Sequence, residues 1–394
     1  MKGDYIFTSE SVTVGHPDKL CDQVSDAIVD NFLVGDPASS IVAECALSSG
    51  VMFISAHYTS HAKFDIQSVA RDVVRDVGYT PREFNADDCT ILTSFQNHTA
   101  TDYRPVNLDE LDNTEIDRIT AKHPATLFGY ACDQSKALMP LPIFLAHRLA
   151  DQLDAPSVRK KLPYLLPDGK AQVSIEYEGW KPKRIHSISL VTSQSDAASV
   201  DLNQLRGDMI EHVIEPVLKK HKFPADTKTN IFVNPEGLVI GGGPALHSGL
   251  TGRKTGIDTY GEFARHSGAA MSGKDPLRID RIGAYAARYA AKNIVAAGLA
   301  SECEVQLSYT VGSARPISVH VRTFGTGELE DNELAARLDK AIDFRLGAIV
   351  RDLRLQKLPS EVEGFYRKLA VYGQVGRLDL KVPWEKTDKV KSLI

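Results

Sequence analysis

Three polar groups that can do chemistry stand close together near the start of the chain. The segment Gly15-His16-Pro17-Asp18-Lys19 contains an imidazole, a carboxylate and an ammonium group. A proline followed by an acid is typical of a helix start, where unpaired N–H groups and the helix dipole favour phosphate. The segment therefore predicts a site for a magnesium-bound nucleotide, although a polar helix cap gives the same pattern.

A second group of charged residues lies between glycines in the last third of the chain. Its cations are Arg253, Lys254, Lys274, Arg278 and Arg281, and its carboxylates are Asp275 and Asp280. The whole chain has a net charge of -5, so these cations do not belong to a generally basic surface. A local cluster of this kind indicates a binding site for a small polyanion.

Residues 268–274 come close to the phosphate-binding P-loop motif, but we do not interpret them as one. The motif requires Ser or Thr after its lysine, and Asp275 occupies that position. It also requires a hydrophobic strand just upstream, and residues 261–267 do not form such a pattern.

Helix-like and strand-like patterns recur in one order along the chain. The order helix, strand, strand, helix is predicted first at 18–33, 41–47, 51–58 and 64–77. It is predicted again at 140–153, 171–178, 184–193 and 202–220, and then at 280–298, 303–310, 317–324 and 331–347. The repeat predicts an α+β protein of three related units.

A polar stretch at about 96–124 separates the first two units and shows no sustained periodicity. Long connections of this type are often active-site lids, and a plain surface loop fits equally well. We therefore expect an N-terminal α+β domain at 1–100, a mobile loop or linker at 101–124, a central domain at 125–234 and a C-terminal domain at 235–394.

The composition excludes several classes of protein. With 46 basic and 51 acidic side chains, the 394-residue chain has no general field for nucleic acid or for an anionic membrane. The 5 cysteines form no C-x-x-C pair, which argues against a disulfide framework or a zinc site and fits the cytoplasm. No signal peptide or membrane span is indicated, because the most apolar stretch, 282–300, is broken by Arg288 and Lys292.

Taken together, these segments resemble the S-adenosylmethionine synthetases (methionine adenosyltransferases). The matching segments are 9–12, 15–19, 128–131, 249–254, 258–261, 272–276, 280–281, 284–289, 291–300 and 383–389. Many long matches in the same order are far more specific than one motif. The resemblance implies three similar α+β domains about a pseudo-threefold axis, interleaved by swapped segments. It also implies a homodimer or homotetramer with active sites between subunits.

The reaction that the resemblance implies joins a thioether sulfur to C5′ of ATP and expels the whole triphosphate, which is then cut to pyrophosphate and phosphate. His16 would assist departure of the triphosphate, and the phosphate contacts would be Lys170, Arg253, Lys254 and Lys274. Asp18 and Asp280 would hold Mg²⁺, and Glu44 matches the position associated with K⁺. Asp168, Val239 and Ala270 match nucleotide contacts.

The chain departs from the family in the pocket for the sulfur substrate. His57, His123 and His247 stand where the family places carboxylates around the methionine ammonium group. Gln96 remains, and Arg278 replaces a lysine at a position associated with methionine. Since histidine is neutral or cationic near neutral pH, a des-amino methylthio carboxylic acid becomes an alternative acceptor.

Other interpretations of this pocket stay open. Realignment can place other acids nearby, for example Asp102 or Asp133. Val239 stands where the family stacks a phenylalanine on adenine, and the arginine that precedes it there is replaced by Leu238. If the acceptor pocket is defunct, the chain is a tripolyphosphatase or a nucleotide-sensing partner of a working synthetase.

Overall fold

A computed structural model describes residues 4–79, 84–101, 106–196 and 200–394. The strands are β1 (Asp4–Val12), β2 (Ser40–Ser48), β3 (Val51–Thr59), β4 (Thr90–Asn97), β5 (Ala125–Cys132), β6 (Leu165–Glu178), β7 (Lys181–Gln194), β8 (Asn230–Val233), β9 (Val239–Ile240), β10 (Gly249–Leu250), β11 (Glu302–Tyr309) and β12 (Ser318–Arg322).

The helices begin with α1 (Pro17–Gly35), α2 (Ile66–Val77), α3 (Asn113–Ile116), α4 (Leu141–Leu153), α5 (Pro156–Lys161), α6 (Leu202–Met209) and α7 (Glu215–His221). They continue with α8 (Thr255–Asp258), α9 (Ile279–Ala296), α10 (Asp331–Ala341), α11 (Leu346–Asp352), α12 (Leu358–Glu361), α13 (Phe365–Leu369) and α14 (Val390–Leu393). A π-helical turn, Ile210–Ile214, joins α6 to α7, and short 3₁₀ turns occupy Leu108–Glu110, Gly243–Ala245 and Pro383–Glu385.

The strands form three sheets, each packed on a buried helix. The orders are β10-β2-β3-β4 with α1, β1-β6-β7-β8 with α4 (β9 also pairs with β7), and β12-β11-β5 with α9. Helix, two-stranded hairpin and helix recur in the predicted order, and the α+β fold of three similar units is confirmed.

Each sheet also contains a strand from a different third of the chain. β1 pairs with β6 from Asp4 opposite Glu178 to Val12 opposite Lys170, and β5 pairs with β11. The short strand β10 pairs with β2 at Leu47 opposite Gly249. The predicted domain boundaries therefore separate segments that share a sheet, and they remain a prediction.

One predicted helix is wrong. The pattern at 331–347 predicts a single helix, but the chain forms α10 and α11 with an extended residue, Ile342, between them. Arg345 is the reason for the break, because its guanidinium binds Asp343 and the carbonyl of Asn113 instead of lying on a helix face. Tertiary contacts outweigh the helical pattern here.

The stretch 106–124 is held by the C-terminal unit. Leu108 and Ile116 are buried, and Ala121 exchanges backbone hydrogen bonds with Gly312 and Ser313. The lid at 96–124 stays a prediction, and its residues 102–105 lie outside the described part of the chain.

Gly129 tests the contact between β5 and α9. A Cβ atom there would lie 1.9 Å from the backbone of Ala287, and both elements are buried. We expect Gly129→Ala to lower the free energy of unfolding by about 1–3 kcal/mol or more, because overpacking forces the backbone apart. Urea denaturation measures this, with Gly50→Ala as the control, since a Cβ at Gly50 meets nothing within 4 Å. Equal stability of the two variants would contradict the predicted packing.

Candidate active site

The first cluster of predicted site residues forms around the N-terminus of α1. His16 is the N-cap, and its Nδ1 accepts a hydrogen bond from the N–H of Asp18 at 3.2 Å. Nδ1 is therefore the unprotonated nitrogen, and Nε2 carries the hydrogen. Burial lowers the pKa of His16 to about 4, so its imidazole is a neutral donor near pH 7.

Asp18 is the centre of this cluster. Its fully buried carboxylate lies 2.5 Å from the ammonium of Lys254 and 3.2 Å from Nε of Arg253. It also accepts the N–H of Leu250 at 3.0 Å. Burial acts to raise the pKa of Asp18, but the hydrogen bond and charge of Lys254 leave it below its ordinary value. Asp18 therefore holds two cations side by side near His16.

Asp168, from β6, reaches the same cluster. Its Oδ2 accepts the N–H of Gly243 at 2.7 Å and lies 3.0 Å from Nε2 of His247. The ring of His247 lies edge-on to that of His16, with centroids 5.0 Å apart. His247, predicted as an acceptor contact, therefore lies among the predicted nucleotide and phosphate residues.

The second cluster forms at the start of α9. The ammonium of Lys274 lies 2.6 Å from Oδ2 of Asp280, and Nε2 of His123 lies 3.1 Å from Oδ1. Burial acts to raise the pKa of Asp280, but Lys274 and then His123 leave it below its ordinary value. Within the described residues, no hydrogen bond or ion pair joins this cluster to the first.

The loop before α9 places Lys274 at the edge of a sheet. The backbone of Lys274 bridges Val42 of β2, and Val42 pairs with His57 of β3. His57 in turn pairs with Gln96 of β4, so Lys274, His57 and Gln96 lie in one row across the sheet.

The remaining predicted residues lie around these clusters. Lys170 pairs with Glu10 at 2.6 Å, and Arg278 lies 3.4 Å from Asp275. Glu44 is exposed on β2 opposite Ser55.

Ala270 and Val239 are the other two predicted nucleotide contacts. Ala270 lies against Gly252, where a Cβ atom would be 2.2 Å from that of Ala270. Val239 lies half-buried at the edge of β7, opposite Ser193.

Sequence reasoning missed two features of the site. The ring of His98 stacks on His57 with centroids 6.0 Å apart, although the pattern singled out Gln96 instead. Asp26 of α1 forms a fully buried ion pair with Arg281 at 2.8 Å and accepts the N–H of Gly273, which fixes the loop that carries Lys274. No signal in the sequence indicated Asp26, because it lies on the polar side of the predicted helix, opposite the stripe of Leu20, Val24, Ile28 and Phe32.

A cavity of about 940 Å³ lined by Tyr130, Trp180 and Phe263 contains none of the predicted residues. No group of three or more His, Cys, Asp or Glu side chains suited to a metal occurs among the described residues. Within the described chain, no helix is long and apolar enough to cross a bilayer.

The two clusters have the charges expected of an enzyme site for a polyanionic substrate, and comparisons with known proteins identify the family. Models of the N-terminal, central and C-terminal domains of S-adenosylmethionine synthetase match residues 4–100, 118–239 and 240–386. The S-adenosylmethionine synthase of Thermosynechococcus vestitus is 45% identical over 404 aligned positions, which cover 99% of this chain and 97% of that protein. That of Synechococcus elongatus is also 45% identical, with coverage of 99% and 97%, and that of Trichodesmium erythraeum is 42% identical, with 100% and 97%.

The chain belongs to the S-adenosylmethionine synthetase family. The predicted family and class of enzyme, an ATP-dependent adenosyltransferase, are confirmed.

Lys274 and Asp280 provide a test of the second cluster. We expect Lys274→Ala and Asp280→Ala to lower kcat by orders of magnitude while leaving the circular dichroism spectrum unchanged, because each removes a charge from the site. Steady-state kinetics with ATP measures the loss. Lys183→Ala is the control, since Lys183 is half-exposed and pairs with Glu178, outside both clusters. Near-normal activity of both site variants would contradict the assignment.

Proposed function

We propose that this chain makes S-adenosylmethionine from ATP and methionine. The observation that carries the proposal is full-length similarity to S-adenosylmethionine synthases, together with cations held at the start of α1. The methionine sulfur donates a lone pair to C5′, and the C5′–O bond breaks. Its electrons pass to the triphosphate, leaving a sulfonium. The triphosphate is then hydrolysed to pyrophosphate and phosphate.

Each residue of the first cluster has a role in this step. The neutral imidazole of His16 can donate its Nε2–H to the leaving oxygen of the triphosphate, on which negative charge develops. When the nucleotide binds, Lys254 and Arg253 leave the carboxylate of Asp18 and contact phosphate oxygens instead. We assign Lys170 and Lys274 to the same leaving group, and Asp168, Val239 and Ala270 to the nucleoside.

The carboxylates of Asp18 and Asp280 fit magnesium. Mg²⁺ in nucleotide sites takes one or two carboxylates plus phosphate oxygens, and it neutralises charge on the leaving group. Both carboxylates have a lowered pKa and are ionised at neutral pH. Glu44 offers a single carboxylate opposite Ser55, which is too little to identify a K⁺ site by itself. The assignment of Glu44 to K⁺ therefore rests on the resemblance to the family.

The acceptor residues in this proposal are His57, Gln96, His123 and Arg278. His123 bonds Asp280 and His247 bonds Asp168, so acidic neighbours remain at two of the three histidine positions. These acids differ from the ones suggested by sequence: Asp133 has no part in either pair, and Asp102 lies outside the described residues. Of these two acids, Asp280 lies beside an acceptor residue, His123, and its carboxylate supports binding of the methionine ammonium group.

We also propose that the enzyme is at least a homodimer and acts in the cytoplasm. Among the described residues no hydrogen bond or ion pair joins the two clusters of one chain, and a second copy can bring its second cluster opposite the first. The sheet that carries His57 exposes apolar side chains on that same face: Val51, Phe53, Leu92 and Leu250 are each 43–52% exposed. All 5 cysteines are free and buried, which suits a reducing compartment.

Mixing inactive variants tests the shared site. Lys254→Ala and Lys274→Ala alter different clusters, so a mixed dimer would contain one intact site and one with both changes. We expect co-refolded or co-expressed variants to recover up to about a quarter of the wild-type activity, by random pairing. Activity that stays at the level of the separate variants would contradict a site built from two chains.

A choice of thioether tests the acceptor. We expect a higher kcat/KM for methionine than for 4-(methylthio)butanoic acid, which lacks the amino group, because the full-length relatives are S-adenosylmethionine synthases and because Asp280 lies beside His123. Mass spectrometry of the sulfonium product measures both. The comparisons favour methionine, but His57 has no acidic partner among the described contacts, which supports keeping the des-amino acid as the second candidate. The reverse order would favour that acid, and triphosphate hydrolysis without any sulfonium would favour a tripolyphosphatase.

A further inference from the structure

His247 is fixed in place by a carboxylate that is itself anchored. Asp168 lies on β6 and accepts the N–H of Gly243 at 2.7 Å through the same oxygen that faces Nε2 of His247 at 3.0 Å. The side chain of Asp168 is 14% exposed, whereas that of His247 is 42% exposed. The ring therefore has one anchored edge and one edge turned toward open space.

The hydrogen bond also determines which nitrogen carries the proton. Because a carboxylate only accepts, Nε2 of His247 is protonated, and in the neutral ring Nδ1 has a bare lone pair. Among the described contacts Nδ1 has no partner. His16 is arranged differently: its Nδ1 accepts the N–H of Asp18, so its Nε2–H is a donor even in the neutral ring.

Charges of both signs face His247. Asp168 approaches from β6, His16 and Asp18 from the start of α1, and Lys254 from the segment after β10. The ring thus belongs to the cluster in which Lys254 and Arg253 already lie side by side. An anion that contacts these two cations would also lie near the open edge of His247.

Building on the proposed function, we propose that the His247–Asp168 pair is a proton-dependent contact for the triphosphate. With His247 protonated, Nδ1–H donates to a phosphate oxygen next to the contact from His16. With His247 neutral, the Nδ1 lone pair faces the same oxygen and repels it. His16 would serve as a fixed donor and His247 as a donor that depends on pH.

The local electrostatics support this arrangement. The hydrogen bond to Asp168 raises the pKa of His247 above its ordinary value, against the smaller effect of burial. The protonated form therefore persists to higher pH than in an isolated histidine. Triphosphate binding is strengthened below this raised pKa and weakens as pH rises through it.

The test is calorimetric titration of the full-length enzyme with inorganic triphosphate and Mg²⁺ between pH 6 and pH 9. The protonation of triphosphate itself changes in this range, so the quantity of interest is the difference between proteins. We expect the affinity of the wild type to fall with rising pH by about tenfold more than that of His247→Asn, a difference of ~1.4 kcal/mol. His212→Asn, outside both clusters, is the matched control and should follow the wild type.

Asp168→Asn separates a pH-dependent role from a structural one. Without the carboxylate, the pKa of His247 should fall, so the extra weakening should occur at lower pH. Identical pH profiles for the wild type and His247→Asn would overturn the contact while leaving the proposed reaction intact. Failure of the wild type to bind triphosphate at any pH would overturn the phosphate site and, with it, this contact.

Discussion

The buried ion pair between Asp26 and Arg281 is the constraint on which the site depends. It joins α1 to α9, and it also binds the loop between them, since Asp26 accepts the N–H of Gly273 and Arg281 donates to the carbonyl of Lys274. A buried pair adds little net stability, but loss of one partner costs about 3–5 kcal/mol. Its main effect is therefore geometric, because two helices far apart in the sequence together place Lys274 against the sheet.

The cations of the site are held by acids before any substrate is present. Lys254 rests on Asp18, Lys274 on Asp280 and Lys170 on Glu10. Such pairing limits the freedom of long side chains, so less entropy is lost when a phosphate replaces the carboxylate. A magnesium ion that arrives with the nucleotide would compensate the acids just as the cations turn to the phosphates.

Sequence patterns predicted helices and hairpins well where apolar residues recurred at a regular helical or strand spacing. They missed β1, β4 and β5 and the short strands β8, β9 and β10. Each of these pairs with a strand distant from its own repeat or lies at the margin of its repeat. They also joined α10 and α11, because no local signal shows that Arg345 turns toward Asn113.

For the site, motifs identified the charged residues but not their grouping. The resemblance to the family assigned His247 to the acceptor, whereas its ring lies against His16 and Asp168. Such contacts depend on how β6 approaches α1, which no spacing within either segment encodes. Gln96 and His98 show the same limit. Gln96 is the partner of His57 in the strand register, but the side chain that stacks on His57 belongs to His98, two residues later.

The strands exchanged between thirds of the chain have a consequence for its synthesis. On the ribosome, β1 emerges first but must wait for β6, more than 150 residues later, before its hydrogen bonds can form. β2 likewise gains its neighbour β10 only after residue 249. Unpaired strand edges stay exposed during this interval, a state that favours aggregation and chaperone binding. The nascent chain is therefore expected to reach its native state only near the end of translation, and early termination products should not fold as separate domains.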